Sequence, residues 1–406
     1  MNLLSGKNIL LGVCGSIAAY KAVELASLLT KSGAKVSVIL TSAAEKFISP
    51  LTFRSVTGGE VFTDSDLWGG RGHILHVDIA HTTDLFVIAP ATANTLAKLA
   101  NGLADNLLTI SALSTCAPKL VAPAMDAGMY IDSAAQKNTR ILTEQGVFFA
   151  GPVEGRMASG LEGLGRFMEP IDILDHVRKA LGTNGILKGK RLLITAGGSQ
   201  EPIDPVRVIT NRSSGRQGYA LAAAALDAGA EVTLISHPTA LRPPVTCQYI
   251  PVNTAAEMLQ AVLRSLPRVD GLVMAAAVAD FTPADVSEQK IKKSNEPHLT
   301  LNLKPTTDIL AEIGKRRAEF LELKVVAGFA AESQDLRQNA LEKLKRKKLD
   351  LIAANDITAE DAGFGVETNQ VTLFFSDGRV NELPNLTKHQ TATEIINAVA
   401  KLLSMP

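Results

Sequence analysis

The N-terminal half of this 406-residue chain places small, hydroxylated and amide-bearing residues directly after its apolar runs. Gly15 and Ser16 stand between an apolar run at 8–13 and a helical pattern at 17–31. Glycines at such a turn let backbone N–H groups approach a phosphate, whose charge the helix N-terminus favours. The turn has only part of the GxGxxG pattern, so a tight turn without a ligand is an equal alternative. Comparable residues, some of which also suit helix capping, follow two further runs, namely Thr41, Ser42, Ala89, Thr92, Ala93 and Asn94.

Three groups in the same half could hold or transfer protons. His76 is a candidate because a histidine can serve as a base near neutral pH if it faces a ligand, although a surface position is the commoner outcome. His73, three residues earlier, is a competing choice. Asp126 is the carboxylate of a strand-end loop, and Ser159 lies in the glycine-rich loop 156–166, which also carries two arginines. That loop would act as a lid over an anionic substrate or form an ordinary surface loop.

The C-terminal half carries a second set of polar motifs at the ends of apolar runs. The segment 211–218 (NRSSGRQG) combines Asn211 with hydroxyls, glycines and arginines at a helix start, which is typical of an anion site. A capped helix with solvated arginines is the alternative. Asp280 lies in the small-residue segment 275–281, and Lys290 follows ten residues after Asp280. Its charge could neutralise a triphosphate, although lysine clusters are usually solvated faces.

These residues need a fold that brings the ends of successive strands together. The pattern of apolar strand, glycine-rich turn and small-residue helix occurs twice, beginning near residues 8 and 191. Strands and helices in alternation predict an α/β fold with two doubly wound, Rossmann-like parallel sheets, whose carboxyl edges hold the ligand loops. We predict one domain over 1–180, a polar, glycine-containing linker over 181–190 and a second domain over 191–406.

Composition argues against several classes of function. Lys plus Arg and Asp plus Glu are equal at 41 each, so no overall field favours nucleic acid or an anionic membrane. The cysteines Cys14, Cys116 and Cys247 lack metal-ligand spacing, which favours reduced thiols in the cytoplasm over a zinc site or an oxidised scaffold. The N-terminal apolar run breaks at Gly12, so we expect a buried strand there and no signal peptide. No run has the roughly twenty apolar residues of a membrane span.

In their order, the motifs GVCGSIAAYK, HVDIA, DLFVIAPATAN, PAMD and ASGLEGLGR resemble the flavin-dependent cysteine decarboxylase family, specifically its phosphopantothenoylcysteine decarboxylases. The resemblance covers residues 7–170 and implies a flavodoxin-like domain that binds FMN through the strand-end residues named above. Spacing before Asp84 selects His76, and not His73, as the family histidine. The resemblance implies that His76 helps to remove the substrate thiol proton and that hydride passes to the flavin. The resulting thioaldehyde would then permit loss of CO2.

Two positions depart from the pattern of that family. The family loop that touches substrate ends in asparagine or in aspartate, and this chain has the aspartate form, Asp126. Ser159 stands where the lid of better-known members carries a cysteine as the acid. A hydroxyl is a far weaker acid than a thiol, so Ser159 can only relay a proton from water or from another group. The identity of the final proton donor is therefore left open by the sequence.

The motifs TAGGSQEPIDPVR, NRSSGRQG, AAVADF, KIKK, GFAAE and KLDLIAAND resemble the phosphopantothenate–cysteine ligase family over residues 187–406. The resemblance implies that CTP activates the phosphopantothenate carboxylate as an acyl-cytidylate, which the cysteine amine attacks, while Mg²⁺ and lysines balance the phosphate charge. Asn211 and Lys290 would be catalytic, and Asp280 is the suggested Mg²⁺ ligand. The implied nucleotide site comprises Ala276, Asp280, Lys290, Thr306, Thr307, Asp308, Ile309, Phe329, Lys343 and Lys347. The residues themselves do not separate CTP from ATP.

The sequence therefore predicts a bifunctional enzyme of coenzyme A biosynthesis that acts on 4'-phosphopantothenate, cysteine and CTP, with no nucleic-acid or membrane partner. The resemblance also implies a homo-oligomer, since FMN lies between decarboxylase subunits and the ligase domain dimerises. The alternative is an FMN-binding regulatory protein in which only the ligase domain is active. An enzyme of the prenyl-flavin synthase type would leave the second half unexplained, and a dinucleotide dehydrogenase would need the full glycine fingerprint.

Overall fold

The computed structural model describes residues 3–68, 74–292, 298–332, 335–356 and 368–405. The chain divides into two compact units, Met1–Gly182 and Thr183–Pro406. His73, the competing histidine, and Lys293, the last residue of the KIKK motif, lie outside the described residues. No helix among the described residues has the length and apolar character that a membrane span requires.

The first unit alternates strands and helices along its length. Its strands are β1 (Asn8–Val13), β2 (Lys35–Leu40), β3 (Val61–Thr63), β4 (Leu85–Ala91), β5 (Lys119–Pro123), β6 (Phe148–Phe149), β7 (Val153–Arg156) and β8 (Glu162–Arg166). Its α-helices are α1 (Ala19–Lys31), α2 (Pro50–Thr57), α3 (Leu75–Thr82), α4 (Ala93–Asn101), α5 (Leu107–Ser114), α6 (Ala127–Ile131), α7 (Ser133–Glu144) and α8 (Pro170–Gly182). Short 3₁₀ turns occupy Ala44–Lys46 and Asp64–Trp68.

Six of these strands form one parallel sheet in the order β3-β2-β1-β4-β5-β6. β1 lies inside the sheet, and five of its six residues are buried because helices cover both faces. Leu25 and Leu29 of α1 belong to the core on one face, and Leu107 and Leu108 of α5 belong to the core on the other. The strand order reverses between β1 and β4, so the carboxyl ends of these two strands flank a crevice of the kind that binds ligands in doubly wound folds.

The second unit has more strands, several of them short. The strands are β9 (Arg191–Ala196), β10 (Gln200–Pro202), β11 (Val208–Thr210), β12 (Glu231–Ser236), β13 (Gln248–Pro251), β14 (Gly271–Met274), β15 (Phe281–Pro283), β16 (Leu303–Pro305), β17 (Val325–Glu332), β18 (Leu351–Asp356), β19 (Thr368–Asn369), β20 (Val371–Phe375), β21 (Val380–Glu382) and β22 (Leu386–Thr387). The α-helices are α9 (Arg216–Asp227), α10 (Ala255–Ser265), α11 (Ile309–Arg316), α12 (Leu336–Arg346) and α13 (Lys388–Ser404), with 3₁₀ turns at Leu266–Arg268 and Arg317–Glu319.

The main sheet of the second unit has eight strands in the order β13-β12-β9-β14-β17-β18-β20-β21. The first six are parallel, whereas β20 and β21 pair antiparallel at one edge. α9 and α13 pack together on one face, and α10 belongs to the core on the other. Two antiparallel hairpins, β10–β11 and β15–β16, follow the carboxyl ends of β9 and β14 and contact each other through β10 and β15.

The predicted α/β class with two doubly wound sheets is confirmed, with two differences in detail. The second sheet is not wholly parallel, because β20 and β21 extend it in the antiparallel sense. The glycine-rich segment 156–166 is not an irregular loop, because most of it belongs to the hairpin of β7 and β8. Gly160 at the tip of that hairpin has φ 86°, a left-handed conformation that glycine adopts at little steric cost. All three cysteines are free thiols.

Candidate active sites

The turn after β1 packs so closely against the turn after β2 that position 15 has no room for a side chain. A Cβ built on Gly15 would lie 2.5 Å from the Cβ of Ala43 and 2.9 Å from its carbonyl carbon. The next residue, Ser16, accepts a hydrogen bond on its hydroxyl from the Ala18 N–H at 3.2 Å. Ala18 is the N-cap of α1 and provides no side-chain cap. The Ala19 and Lys21 N–H groups also donate within the chain, to the carbonyls of Ser16 and Ala18. The start of α1 therefore favours an anion through the positive end of its helix dipole.

Asp64 ties the turn after β2 to the start of α5. One oxygen of its carboxylate accepts hydrogen bonds from the N–H and the hydroxyl of Ser42, and the other accepts from the Leu107 N–H at 3.1 Å. The Thr41 N–H donates to the Val13 carbonyl at 3.1 Å. Thr41 and Ser42 therefore lie at the same edge of the sheet as Gly15, as predicted for a strand end. Sequence reasoning missed Asp64, although a carboxylate after the run VFT was a signal of the same type.

The turn after β4 is joined to the turn after β1 through Cys14. The Cys14 N–H donates to the Pro90 carbonyl at 3.2 Å, and the Thr95 hydroxyl donates to the Cys14 sulfur at 3.1 Å. Burial raises the pKa of the Cys14 thiol to about 11, so the group stays protonated and is not a nucleophile. Thr92 caps α4, since its hydroxyl accepts from the Thr95 N–H. The predicted residues beside this cap are Ala89, Ala93 and Asn94.

A cavity of about 610 Å³ opens beside the first turn of α1. Its other walls are the loop after β5 and the hairpin of β7 and β8. Ser159, near the hairpin tip, donates a hydrogen bond from its hydroxyl to Oδ2 of Asp126 at 2.8 Å, and Oδ1 of Asp126 accepts from the Gly128 N–H at 3.1 Å. The two residues that depart from the family pattern are therefore in direct contact.

The hairpin of β7 and β8 is seated on the loop after β5 at a point where only glycine fits. A Cβ on Gly165 would lie 2.5 Å from the Met125 carbonyl oxygen, and the Met125 N–H donates to the Gly165 carbonyl at 3.0 Å. This backbone contact holds the hairpin beside the cavity, where a lid would have to lie. The glycine pattern of the segment therefore serves close packing as well as the turn at its tip.

Three cationic side chains, Lys21, Arg156 and Arg166, line the cavity. Nζ of Lys21 lies 2.8 Å from Oε1 of Glu169, and Nη2 of Arg166 lies 2.6 Å from the same oxygen. The hydrogen bond from Lys21, supported by both positive charges, holds the pKa of Glu169 below its ordinary value. Such a wall suits an anionic substrate. Sequence reasoning pointed to the two arginines but missed Lys21, although it is the last residue of the quoted motif GVCGSIAAYK.

His76 does not share this cavity within one chain. It lies in the first turn of α3, where its side chain is half-buried, and it is not among the residues that line the cavity. Among the described residues, Asp126 bonds to Ser159 and to the Gly128 N–H, and neither of these hydrogen bonds involves His76. Within a single chain, the Ser159–Asp126 pair and the three cationic side chains therefore lie at one cavity, whereas the predicted base His76 does not line it.

In the second unit, the segment after β14 is held between two of the predicted residues. The side-chain amide of Asn211 donates to the carbonyls of Ala277 at 3.4 Å and Val278 at 3.2 Å. The Thr306 hydroxyl donates to the Ala279 carbonyl at 2.6 Å, and its N–H donates to the Asp280 carbonyl at 2.9 Å. The structure thus brings Asn211 and Thr306 to the segment that carries Ala276 and the exposed carboxylate of Asp280.

Asp308 and Lys347, both predicted to contact the nucleotide, form an ion pair with 2.9 Å between Nζ and Oδ2. Asp308 also caps α11 by accepting from the Ala311 N–H at 3.1 Å. Burial acts to raise the pKa of Asp308, but the hydrogen bonds from Lys347 and Ala311 outweigh it and hold that pKa below its ordinary value. Thr307 precedes this cap, whereas the Ile309 side chain is 3% exposed and belongs to the core, so only its backbone can meet a ligand.

The remaining predicted nucleotide residues come from other elements. Phe329 of β17 is partly buried against the core, Lys343 lies in α12, and Lys290 is exposed between β15 and β16. Within the described ranges, no three histidine, cysteine or acidic side chains converge as they would at a protein-built metal centre. Asp280 is therefore not part of a cluster of metal ligands in the described part of the chain.

His237 is a buried histidine beside the first turn of this unit. A Cβ on Gly197, in that turn, would lie 3.1 Å from the Cβ of His237. Neither ring nitrogen has a hydrogen-bond partner among the described residues. Burial lowers the pKa of His237, and nearby backbone groups and the Glu201 carboxylate offset this effect only in part. The ring is therefore neutral in the folded unit at neutral pH.

Replacing His237 with leucine is expected to raise the free energy of unfolding of the second unit by about 1–3 kcal/mol near pH 8, because no buried nitrogen stays unpaired. The gain should grow below about pH 6.5, since the unfolded histidine takes up a proton there that the folded one, with its lower pKa, resists. Wild-type stability is thus lost as the pH falls from that value toward the folded pKa. Calorimetry at pH values above and below 6.5 measures the difference.

The exposed His298 supplies the matched control for that experiment. His298→Leu should leave the pH dependence of unfolding as it is in the wild type, because the exposed side chain meets solvent in the folded and the unfolded chain alike. A stability gain for His237→Leu that is the same at both pH values would contradict the assignment of an unpaired, neutral ring.

Two families match the two units of the chain. The family described as "Flavoprotein" matches residues 2–182, and the family described as "DNA/pantothenate metabolism flavoprotein C-terminal domain" matches residues 187–403.

Similarity to curated proteins extends over nearly the whole chain. A coenzyme A biosynthesis bifunctional protein CoaBC from Bacillus subtilis (strain 168) is 46% identical over 403 residues, 98% of each chain. A protein of the same name from Vibrio cholerae is 42% identical over 402 residues, 98% of this chain and 99% of that one. A cysteine/cysteine sulfinic acid decarboxylase from an unknown prokaryotic organism is 43% identical over 362 residues, 88% of this chain and 99% of that one. Because both units match in order and the similarity spans the full chain, this chain belongs to the family of coenzyme A biosynthesis bifunctional proteins CoaBC.

Proposed function

We propose that the chain catalyses two consecutive steps of coenzyme A biosynthesis. The C-terminal unit ligates cysteine to 4'-phosphopantothenate with CTP through an acyl-cytidylate, and the N-terminal unit decarboxylates the phosphopantothenoylcysteine to 4'-phosphopantetheine. The observation that carries this proposal is the match, over 98% of the chain, to relatives named as bifunctional proteins of coenzyme A biosynthesis. None of its three cysteines forms a disulfide in the structure, which fits the proposal of a cytoplasmic enzyme.

The carboxyl edge of the first sheet fits FMN. The Gly15 turn has no room for a Cβ, and it leads into the N-terminus of α1, whose helix dipole favours a phosphate there. We assign the phosphate to Gly15 and Ser16, and the edge of the flavin ring to Thr92 and its neighbours at the start of α4. When bound, the flavin supplies a reversible two-electron acceptor for the carbon that bears sulfur.

Gly15→Ala is expected to yield an N-terminal unit that no longer retains flavin. The added Cβ would lie 2.5 Å from the Ala43 Cβ, so the two turns must separate, which typically costs about 1–3 kcal/mol of stability. Flavin absorbance after gel filtration measures the effect. Gly15→Ala/Ala43→Gly should recover part of the flavin, because it removes the nearest clashing atom. Full flavin content in Gly15→Ala would contradict the assignment of the phosphate to this turn.

The side chains around the cavity would have different roles in the decarboxylation. Lys21, Arg156 and Arg166 hold the anionic groups of the substrate, because they line the cavity and two of them share a single carboxylate, Glu169. Ser159 is too weak an acid to protonate the product alone. Its hydroxyl is held 2.8 Å from Asp126, which is therefore the group with which it can exchange a proton.

A second subunit would bring His76 to the cavity. His76 does not line the cavity of its own chain, whereas the resemblance implies FMN between subunits. Exposed apolar side chains around the first turn of α1 and before α3 support an interface here, because Tyr20 is 62% exposed and Trp68 is 89% exposed. We therefore propose a homo-oligomer whose decarboxylation sites each take the base His76 from a neighbouring copy.

In the second unit, the segment from Ala276 to Asp280 and the cap at Asp308 would receive the nucleotide, with Lys290 and Lys347 balancing phosphate charge. Lys347 is paired with Asp308, so it would have to exchange that partner for a phosphate. Mg²⁺ usually binds one or two carboxylates together with substrate phosphates and water. The exposed Asp280 would supply the carboxylate, and the nucleotide would supply the phosphates.

A second candidate function follows from Ser159. Because a serine in the lid lacks the acidity of a thiol, the N-terminal unit would bind FMN and regulate a partner while only the ligase stays active. The cysteine/cysteine sulfinic acid decarboxylase among the relatives adds a second substrate choice, free cysteine, for the same cavity.

Mass spectrometry of one reaction separates these candidates. The pure protein is incubated with 4'-phosphopantothenate, cysteine, CTP and Mg²⁺, and a parallel reaction contains cysteine alone. Phosphopantetheine in the first reaction would support both activities and the Ser159 lid. Phosphopantothenoylcysteine without phosphopantetheine would favour the regulatory candidate, and cysteamine in the parallel reaction would favour free cysteine as substrate. Replacement of CTP by ATP tests the nucleotide.

A further inference from the structure

Asp204 is a buried carboxylate whose two oxygens are both engaged by the chain. It lies in the turn between β10 and β11, and its side chain has no exposed surface. Oδ1 accepts hydrogen bonds from the N–H groups of Val206 and Arg207, each at 2.8 Å. Oδ2 accepts from the Ile291 N–H at 3.1 Å and lies 3.5 Å from Nη1 of Arg207. Both carboxylate oxygens thus accept hydrogen bonds from the chain itself, and together they connect the β10–β11 turn to the segment around Ile291.

The second of these segments carries Lys290. Ile291, the next residue, is held on both sides, because its N–H donates to Asp204 and its carbonyl accepts from Nη2 of Arg207 at 3.0 Å. Upstream, the Ser287 N–H donates to the Ile203 carbonyl at 3.0 Å. Lys290 itself is exposed. Its ammonium group is therefore presented from a backbone that the turn around Asp204 anchors at both ends.

The first segment leads to Asn211. β11 ends at Thr210, and Asn211 follows directly, with its amide donating to the carbonyls after β14. The partner strand β10 is fixed by Glu201, which is buried and accepts the Ala255 N–H at 2.8 Å. Asp204 closes the turn between these two strands and so stabilises the hairpin that precedes Asn211. Through Ile291 it also fixes the position of the segment that carries Lys290.

We propose that Asp204 is a positioning residue of the ligase site, which holds Lys290 in register with the Asn211 hairpin through its hydrogen bonds to Ile291 and Arg207. The inference rests on the proposed ligase function, because Lys290 and Asn211 have their roles only there. Asp204 does not itself touch the substrates. It acts on the rate through the placement of Lys290, and misplacement by about 1 Å in an active site can cost about 10²-fold in rate.

Asp204→Asn tests this role with little change in volume. One oxygen becomes an NH2 group, which cannot accept from the Ile291 N–H and repels the Arg207 guanidinium. Release of pyrophosphate with 4'-phosphopantothenate and CTP is expected to fall about 10²-fold, mainly in kcat. The exposed Asp285 on the same connection supplies the matched control, and Asp285→Asn should keep the wild-type rate. Calorimetry shows whether the second unit of each variant is folded.

A double-variant comparison separates positioning from a general loss of structure. If Asp204 acts through Lys290, Asp204→Asn should add little to the defect of Lys290→Gln, because residues that act as a unit are non-additive. Multiplication of the two defects, or a wild-type rate in Asp204→Asn, would overturn the proposal. If Asp204→Asn does not fold, Arg207→Gln removes the guanidinium that donates to the Ile291 carbonyl and lies 3.5 Å from Asp204, and it should give a loss in the same direction. A wild-type chain that releases no pyrophosphate would instead refute the ligase function itself.

Discussion

Replacing His76 with asparagine is expected to slow CO2 release from phosphopantothenoylcysteine by about 10²–10⁴-fold, the usual contribution of a positioned general base. Asparagine keeps a polar side chain of similar reach, but it cannot take up the thiol proton. Pyrophosphate release by the second unit should be unchanged in the same preparation, since His76 lies in the first unit. Coupled detection of CO2 and pyrophosphate measures both steps, and flavin absorbance shows that loss of flavin is not the cause.

His81 provides the control on the same helix. It is exposed in the last turn of α3, so His81→Asn should keep the wild-type rate of CO2 release. Mixing His76→Asn with Gly15→Ala tests where His76 acts. If His76 serves a neighbouring copy, mixed oligomers contain sites with an intact turn from one chain and an intact histidine from the other, and activity returns. No recovery would contradict a site shared between subunits, and full activity of His76→Asn alone would refute His76 as the base.

Lys290→Gln is expected to reduce pyrophosphate release by about 10²–10³-fold, because a charged donor aimed at developing phosphate charge contributes that much to the rate. Glutamine retains hydrogen-bonding capacity but not the positive charge. The loss should fall mainly on kcat, since charge that develops in the transition state is weaker in the bound substrate. Steady-state kinetics with varied CTP measures the two parameters, and decarboxylation of added phosphopantothenoylcysteine should be unchanged.

Lys315 is the matched control for Lys290. It is exposed in the last turn of α11, so Lys315→Gln removes one surface charge from the same unit and should keep the wild-type rate. A defect in Lys290→Gln that appears only in the KM for CTP would indicate uniform binding of the nucleotide, not stabilisation of the transition state. A wild-type rate would remove Lys290 from the catalytic machinery.

Much of the fold could be predicted because local physical chemistry determines it. β1 is buried on both faces, so its residues form one apolar run, and the predicted range 8–13 is the observed strand. The helix predicted from residue 17 begins at Ala19, because Ser16 and the residues after it form the turn that leads into α1. The antiparallel edge formed by β20 and β21 was not predicted, because a short apolar run does not indicate whether the strand pairs parallel or antiparallel with its neighbour.

Turn chemistry was similarly visible in single residues. Gly15 was predicted as the point where the backbone must come close to a ligand, and the structure adds that it also comes close to Ala43. The sequence could not show this second reason. The spacing of residues along the chain does not report which other turn packs against them, because that depends on how β1 and β2 pair in the sheet.

By itself, the sequence determined the two α/β units, the strand ends that carry the polar motifs and the family to which those motifs belong. Only the tertiary structure decided which of these residues meet. Ser159 contacts Asp126 across 33 positions, and Asp204 contacts Ile291 across 87. The structure also left His76 outside the cavity of its own chain. Periodicity and turn residues are local properties, whereas contacts between distant segments depend on strand order and on the packing of loops at one edge of a sheet, which no local pattern encodes.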